Sequence, residues 1–559
     1  MIKFKQNSLV NIIVDKKVAY AKVWNGREEI IVEPFIHQPV EFFYDEHGYE
    51  RVNLIGKERI QIRFSLSKIG DYQIDFFAGN GELLKTEMIS IVRSNHQEKL
   101  TIIDGQGYYS NGKYFIPYGI NMAYPEAYPD SNGCEFGLKK STSFLGLKQY
   151  EKWMSDCAKN GINLVRIWCG CAYFSPDLED VNKVNYAQFS KLDKIFEMAN
   201  RYNIRLKLTF EKFRYLVSNK NEAGNCEGIA GGNIFNKYAT DNGKIIEADE
   251  WLTQEKYRKI WLKKVREYKL RYACDPALFA VELWNEMNCF GAEYKHVNDW
   301  NVYMSDKVRE LFPNTVILNS LGSLDSIFQL KDYNNFCFEK FDWIQVHSYL
   351  DQGAYYEELG ESPIEAIKKT HSLIGKKQEL CNRKVFIAET GAVNDCHYGP
   401  FRYYLNDDKG IILVDCVYTP FFLGCIGPGN IWHWDSRYVA SKNLYKYYKP
   451  LAQLIKDVNF KEENFHALDL SNEKLYCFVL KGETSYLAFL RNKEYNWKNI
   501  LRDDKKAIST SGIIDFSQIG AKNLSTVKIW SEEKCSLVLK ENQLRISKLK
   551  YGILIKGNI

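Results

Sequence analysis

The 559-residue sequence predicts an α/β chain: a central (β/α)8 TIM barrel flanked by two small antiparallel β-sandwich domains. Three observations lead there. Strand-like and helix-like runs take turns through the middle of the chain, whereas both ends carry only short strand-like runs separated by turns. The length exceeds one ordinary domain of ~100–200 residues, and a barrel of this kind takes ~250 residues or more.

In chain order, residues 1–97 hold VAYAKVWN, RIQIRFSLS, DYQIDFFAGNGELL and TEMISIVRS, whose alternating polar and apolar residues predict an N-terminal β-sandwich. From 98 to 455 the texture is that of the barrel. Asn111-Gly112 predicts a tight hairpin and Lys113–Gly119 the first strand. LKQYEKWMSDCAKNG repeats apolar residues at Leu147, Tyr150, Met154 and Cys157 and stops at Asn160-Gly161, as a helix should, before the strand INLVRIW. YAQFSKLDKIFEMANRYN keeps the helical period through Leu192, Ile195, Phe196 and Ala199 and leads into IRLKLTF. TQEKYRKIWLKKVREYKLRYA is a third helix, followed by LFAVELWNE, and TVILNS, WIQVHSY, KVFIAET and GNIWHWD complete eight strands. From 456 to 559 the helical period stops; KLYCFVLK, SYLAFLR, TVKIWS, CSLVLK and YGILIKG predict a C-terminal β-sandwich. The Gly- and Asn-rich stretch after the third strand, with Phe213, Tyr215, Phe235 and Tyr238, is long enough to serve as a functional loop.

Composition narrows the function. With 45% hydrophobic and 14% aromatic residues and a mean hydropathy of −0.38, the chain has ample material for cores and for a binding surface. A net charge of +5 without a long basic run argues against nucleic acid and membrane partners and for a neutral one. No run approaches the ~18 apolar residues of a membrane span. The opening MIKFKQNSLVNIIVDKK lacks the pattern of a signal peptide, so a cytoplasmic location is expected. Fourteen cysteines without a CxxC pair or metal-ligand spacing are expected to be reduced packing residues, Cys169 and Cys171 included, and no metal or other cofactor is implied. No GxGxxG or GxxxxGK[ST] follows a strand, which removes the nucleotide-binding reading of an open α/β sheet.

Barrels of this class keep their chemistry at the C-terminal ends of the strands. Two strands here end in a carboxylate, LWNE at Glu286 and VFIAE at Glu389. Burial resists an unpaired charge at the tip of an apolar strand, so each needs water, a partner or a reaction. Alone, such a Glu is more often a salt bridge or a cap. Two of them across a barrel mouth are what glycoside cleavage requires: one to protonate the leaving oxygen, one to attack the sugar or activate water.

With these motifs the chain resembles glycoside hydrolase family 5, the cellulase and mannanase family. Asn285-Glu286 is similar to the family's N-E acid/base motif, Val385–Gly391 (VFIAETG) to its V-F-I-x-E-x-G nucleophile strand, and RYACDPALFAVELWNEMN to the corresponding run of its mannanase-like members. The resemblance implies Glu286 as acid/base and Glu389 as nucleophile. It implies Arg166 at the end of NLVRIW as a group that keeps the nucleophile ionised, Asn285 as a contact to the sugar 2-hydroxyl, and Tyr349 and His347 in QVHSYL as neighbours of the nucleophile. Trp432 and Trp434, at alternate positions of the last strand, would offer a stacking platform, Trp434 the preferred one; His433 stands where related members often have a further tryptophan. Asn121 is a further substrate-binding candidate, and Tyr118, Glu211 and His397 are weaker ones that scaffolding would explain equally well. For each remaining residue the bland reading is a strand-end ion pair or a satisfied core polar group.

The expected activity is therefore a retaining β-glycoside hydrolase acting by double displacement on β-linked oligosaccharides or glycosides, manno- or gluco-configured. The alternatives are a transglycosylase or a related glycosidase with xyloside or galactoside specificity and, from another class, a non-catalytic carbohydrate-binding protein on the same scaffold. A carbohydrate is the only partner implied, and the sequence leaves the oligomeric state open.

Overall fold

The computed structural model describes residues 1–125, 145–171, 173–177, 180–211, 240–394 and 399–559. The aromatic positions of the long loop (Phe213, Tyr215, Phe235, Tyr238) and His397 lie outside the described residues. The chain divides into two units: Met1–Asn111, Ala123–Met154 and Arg166–Asn319 make the first, Gly112–Met122, Ser155–Val165 and Ser320–Ile559 the second.

The strands of the α/β region are β1 (Gly119–Asn121), β2 (Leu164–Trp168), β3 (Arg205–Glu211), β4 (Leu278–Trp284), β5 (Val316–Leu318), β6 (Ile344–Leu350) and β7 (Val385–Ala392). In the first unit β2, β3, β4 and β5 lie in that order, and β3–β4 and β4–β5 are parallel. Every residue of β3 and β4 is buried, which is why both read as near-continuous apolar runs. Lys207, Thr209, Glu211 and Glu282 interrupt those runs. The predicted helices form as α1 (Leu147–Lys159), α2 (Phe189–Tyr202) and α3 (Glu255–Tyr272). α2 buries Leu192, Ile195, Phe196 and Ala199, one helical face, and ends on Asn203 in the left-handed region (φ 54°). Phe196 stacks on Tyr272 of α3 at 4.4 Å between ring centroids.

The N-terminal part of the first unit has a five-stranded and a three-stranded sheet, whose inward residues, among them Val10, Val23, Phe64, Ile74 and Ile91, form one hydrophobic cluster. One pairing departs from the antiparallel expectation: Ile2–Lys5 runs parallel to Leu83–Val92, with Ile2 beside Ile89. A parallel pair needs a long connection, and the intervening strands supply it.

In the second unit β6 and β7 are parallel, Ser320 bridges Gln345, and Thr390 bridges Ile431. The Asn121 N–H donates to the Ile431 carbonyl, and the Tyr118 carbonyl accepts from Asn163 and Leu164. Three expectations change. The first strand is Gly119–Asn121 rather than 113–119, because Pro117 has no N–H to give a ladder and restricts the residue before it. A two-residue hairpin forms nearby at Asp104-Gly105, both at positive φ, where Ile103 pairs with Gln106, whereas at the expected Asn111-Gly112 turn Gly112 alone takes positive φ (80°). The predicted last strand survives only as the Ile431 bridge: after Trp432 the chain turns, with the Trp434 N–H on the Trp432 carbonyl (3.0 Å).

The C-terminal region has a five-stranded and a three-stranded sheet around Leu475, Val479, Ala488, Leu490, Phe516, Leu544 and Ile555. Among the described residues no helix is long and apolar enough to cross a membrane.

Candidate active site

In the first unit, Arg166, Glu282, Thr209 and Asn285 form one buried network. The register that sets Thr209 of β3 beside Glu282 of β4 brings the hydroxyl to the carboxylate, and Thr209 donates to Glu282 Oε2 at 2.7 Å. Arg166 donates from Nε to Glu282 Oε2 (2.7 Å) and from an Nη to Glu282 Oε1 (2.9 Å), a two-pronged pairing that fixes the guanidinium plane. The same Nη donates to Asn285 Oδ1 at 2.7 Å. Lys207 Nζ stands 3.7 Å from Glu282, and all of these side chains are fully buried. Burial opposes ionisation of Glu282. The Arg166 and Lys207 charges, with the hydrogen bonds from Arg166 and Thr209, outweigh it and hold the carboxyl well below the usual carboxylate range.

Arg166, expected to serve the nucleophile, is also braced on Glu282, a carboxylate that the sequence reading passed over. A glutamate in the middle of FAVELW was the available signal, since every residue of that strand is buried.

Asn285 Oδ1 faces a guanidinium, which only donates, so the amide orientation is fixed. Its backbone N–H donates to the Glu211 carbonyl, and among the described residues Nδ2 has no acceptor. Glu286 follows in the left-handed region, φ 48° and ψ 53°. For a residue with a Cβ that backbone carries a strain of roughly 1–2 kcal/mol and turns the chain sharply out of β4. Glu211, a weaker candidate, is buried and paired with Lys264 of α3, whose Nζ also lies 3.5 Å from Asp177. That arrangement reads as an anchor for the end of β3.

In the second unit, β6 and β7 carry the other cluster. A register shift between Val346 and His347 sets His347 beside Glu389 and Tyr349 beside Gly391. Tyr349 donates its hydroxyl to Glu389 Oε2 at 2.7 Å, and His347 Nδ1 lies 3.4 Å from the same oxygen. Glu389 is 3% exposed, His347 fully buried and Tyr349 8% exposed. The glycine after Glu389-Thr390 has a steric reason: a Cβ on Gly391 (φ 149°) would come within 2.9 Å of the Tyr404 hydroxyl, which accepts the Ala392 N–H.

Asn121 donates from Nδ2 to the carbonyls of Ala388, Asn430 and Ile431, so that end of its amide ties backbone segments together. Tyr118 likewise donates to the Tyr448 carbonyl. The turn after Trp432 removes the alternation that was to align Trp432 and Trp434: their rings meet edge to face, 5.3 Å apart at 78°. Trp434 is fully buried while Trp432 keeps 8% of its surface, so the preference for a stacking face moves to Trp432. His433 is buried, which holds its pKa well below the usual imidazole value, with Arg437 adding to the effect; its Nδ1 lies 3.3 Å from the Tyr404 hydroxyl.

The comparisons with known proteins agree with these motifs. Residues 129–407 match the family profile described as Cellulase (glycosyl hydrolase family 5). A mannan endo-1,4-β-mannosidase F of Aspergillus clavatus is 26% identical over 223 residues, covering 38% of this chain and 43% of that protein. The chain thus spans under half the length of this curated relative. Among solved structures, a glycoside hydrolase family 5 protein of Bacteroides vulgatus superposes with a TM-score of 0.51 at 12% identity, over 82% of this chain and 93% of that one. A second Bacteroides vulgatus structure, provisionally assigned as a glycoside hydrolase, gives 0.55 at 12% identity over the whole of both chains. At that identity the superpositions speak to fold, an α/β architecture with additional β-sheet regions for which the family implies a TIM barrel. With its matched segment spanning both carboxylate motifs, the chain belongs to glycoside hydrolase family 5.

Proposed function

We propose that the protein is a retaining β-glycoside hydrolase with a catalytic (β/α)8 barrel over 98–455 and β-sandwiches over 1–97 and 456–559. The observation that carries the reading is the buried Glu389 carboxylate in β7, held by the Tyr349 hydroxyl at 2.7 Å. A donated hydrogen bond favours the ionised form, which is what a nucleophile needs. Glu389 attacks the anomeric carbon while Glu286 gives its proton to the departing oxygen; Glu286 then takes a proton from the water that releases the sugar from Glu389. Asn285 serves the sugar 2-hydroxyl, Arg166, Tyr349 and His347 the nucleophile, and Trp432 the stacking surface, while Asn121 acts as scaffold through its backbone contacts.

The substrate class is a β-linked manno- or gluco-configured oligosaccharide or glycoside. The mannan-directed name of the Aspergillus relative supports the manno choice. The test is turnover of aryl β-glycosides and of manno-, gluco- and xylo-oligosaccharides by the wild type and Glu389→Ala. Turnover by the wild type, lost in the variant, is expected. No turnover of any substrate, or a fully active variant, contradicts the reading; preferred transfer to a sugar acceptor over water favours the transglycosylase alternative.

A further inference from the structure

The Arg166 network has a feature that the two-carboxylate reaction does not use. Glu282 is fully buried, and it takes both prongs of Arg166 and the Thr209 hydroxyl. A guanidinium held in that plane has a remaining N–H for Asn285 Oδ1, and this bond decides which end of the Asn285 amide is committed. What is left over is Nδ2, a buried donor with no acceptor among the described residues, adjacent in sequence to Glu286. A buried donor without a partner is unfavourable, so it is retained where an arriving group completes it. The group chemically suited to it is an acceptor oxygen of the substrate; in glycoside cleavage the sugar 2-hydroxyl gains hydrogen-bond strength as the transition state forms.

We propose that Glu282 is a positioning residue: by bracing Arg166 it fixes the Asn285 amide with Nδ2 as the donor to the sugar 2-hydroxyl. The inference rests on the glycosidase reading above. If Glu282 were only part of the packing, its loss would slow every substrate alike. If it acts through Asn285, its loss matters only where a 2-hydroxyl is present to be met.

The test compares kcat/KM for an aryl β-glycoside and its 2-deoxy counterpart in the wild type, Glu282→Gln, Thr209→Val and Asn285→Ala. The wild type is expected to favour the 2-hydroxy substrate by roughly 100-fold. Glu282→Gln should shrink that ratio by about tenfold or more, mainly by slowing the 2-hydroxy substrate, and Thr209→Val should move it the same way by less. Adding Glu282→Gln to Asn285→Ala should leave the ratio where Asn285→Ala alone puts it. Should Glu282→Gln not fold, Thr209→Val carries the comparison. A wild-type ratio well above one that Glu282→Gln and Thr209→Val leave unchanged overturns the role of Glu282 while the glycosidase reading stands. A wild type that cleaves neither substrate nor any other β-glycoside overturns that reading, and the positioning role with it.

Discussion

Tyr349→Phe isolates one bond of the proposed nucleophile. It removes a hydroxyl that donates to Glu389 Oε2 at 2.7 Å and keeps the ring in a site only 8% exposed, so packing is preserved. A hydrogen bond to a charged acceptor contributes ~1.5–3 kcal/mol. At ~1.4 kcal/mol per pKa unit, its loss makes Glu389 harder to ionise by about one to two units. The sign follows from the reaction: attack needs the carboxylate, so activity in the variant should fail at a higher pH than in the wild type. The assay is kcat/KM against pH on an aryl β-glycoside, since that profile reports ionisations of the free enzyme. Thermal unfolding checks that the fold persists. The acid limb should move up by about one to two units. An acid limb that stays in place, whether or not the rate falls, would refute the reasoning.

Three more expectations follow from local physics. Glu286→Gly should abolish glycoside turnover without lowering the melting temperature, because glycine relieves the left-handed backbone at φ 48°; a clear loss of stability counts against the strain argument. Arg491 donates to both oxygens of buried Asp415, so Arg491→Met should destabilise by ~3–5 kcal/mol, and adding Asp415→Leu should restore most of it in denaturant titrations. Burial pushes the Asp407 carboxyl up to about 6 against hydrogen bonds from Tyr438, Ile411 and Ile412. The folded state therefore holds a proton that the unfolded state has released, and stability should fall as pH rises from about 4 to about 6, by ~3 kcal/mol from this group; Asp407→Asn should flatten that slope, and an unchanged slope would show that another group sets it.

The parts of the molecule that sequence made legible are those governed by local pattern. Helical periods marked α1 to α3, and a charge at the tip of an apolar strand marked Glu286 and Glu389 before any contact was known. What sequence concealed depends on pairing between strands or on single turns. Glu282 looked like an impurity in an apolar run until the register set it beside Thr209 and within reach of Arg166. Trp432 and Trp434 read as alternate positions of a strand, but one tight turn after Trp432 sets their rings at 78°. Pro117 moved the first strand down the chain, although its missing N–H was visible in the sequence from the start. His347 and Tyr349 were found through family motifs; the register shift that places His347 against Glu389 has no signature in the sequence.

The central claim is that Glu389 forms a covalent glycosyl-enzyme with Glu286 as its acid/base partner. Two carboxyls ~5–5.5 Å apart give retention of anomeric configuration, and ~6.5–9.5 Å gives inversion. Proton NMR of the sugar released from an aryl β-glycoside, recorded before mutarotation, distinguishes the two. The account predicts the β-anomer as the first product; the α-anomer appearing first would contradict it.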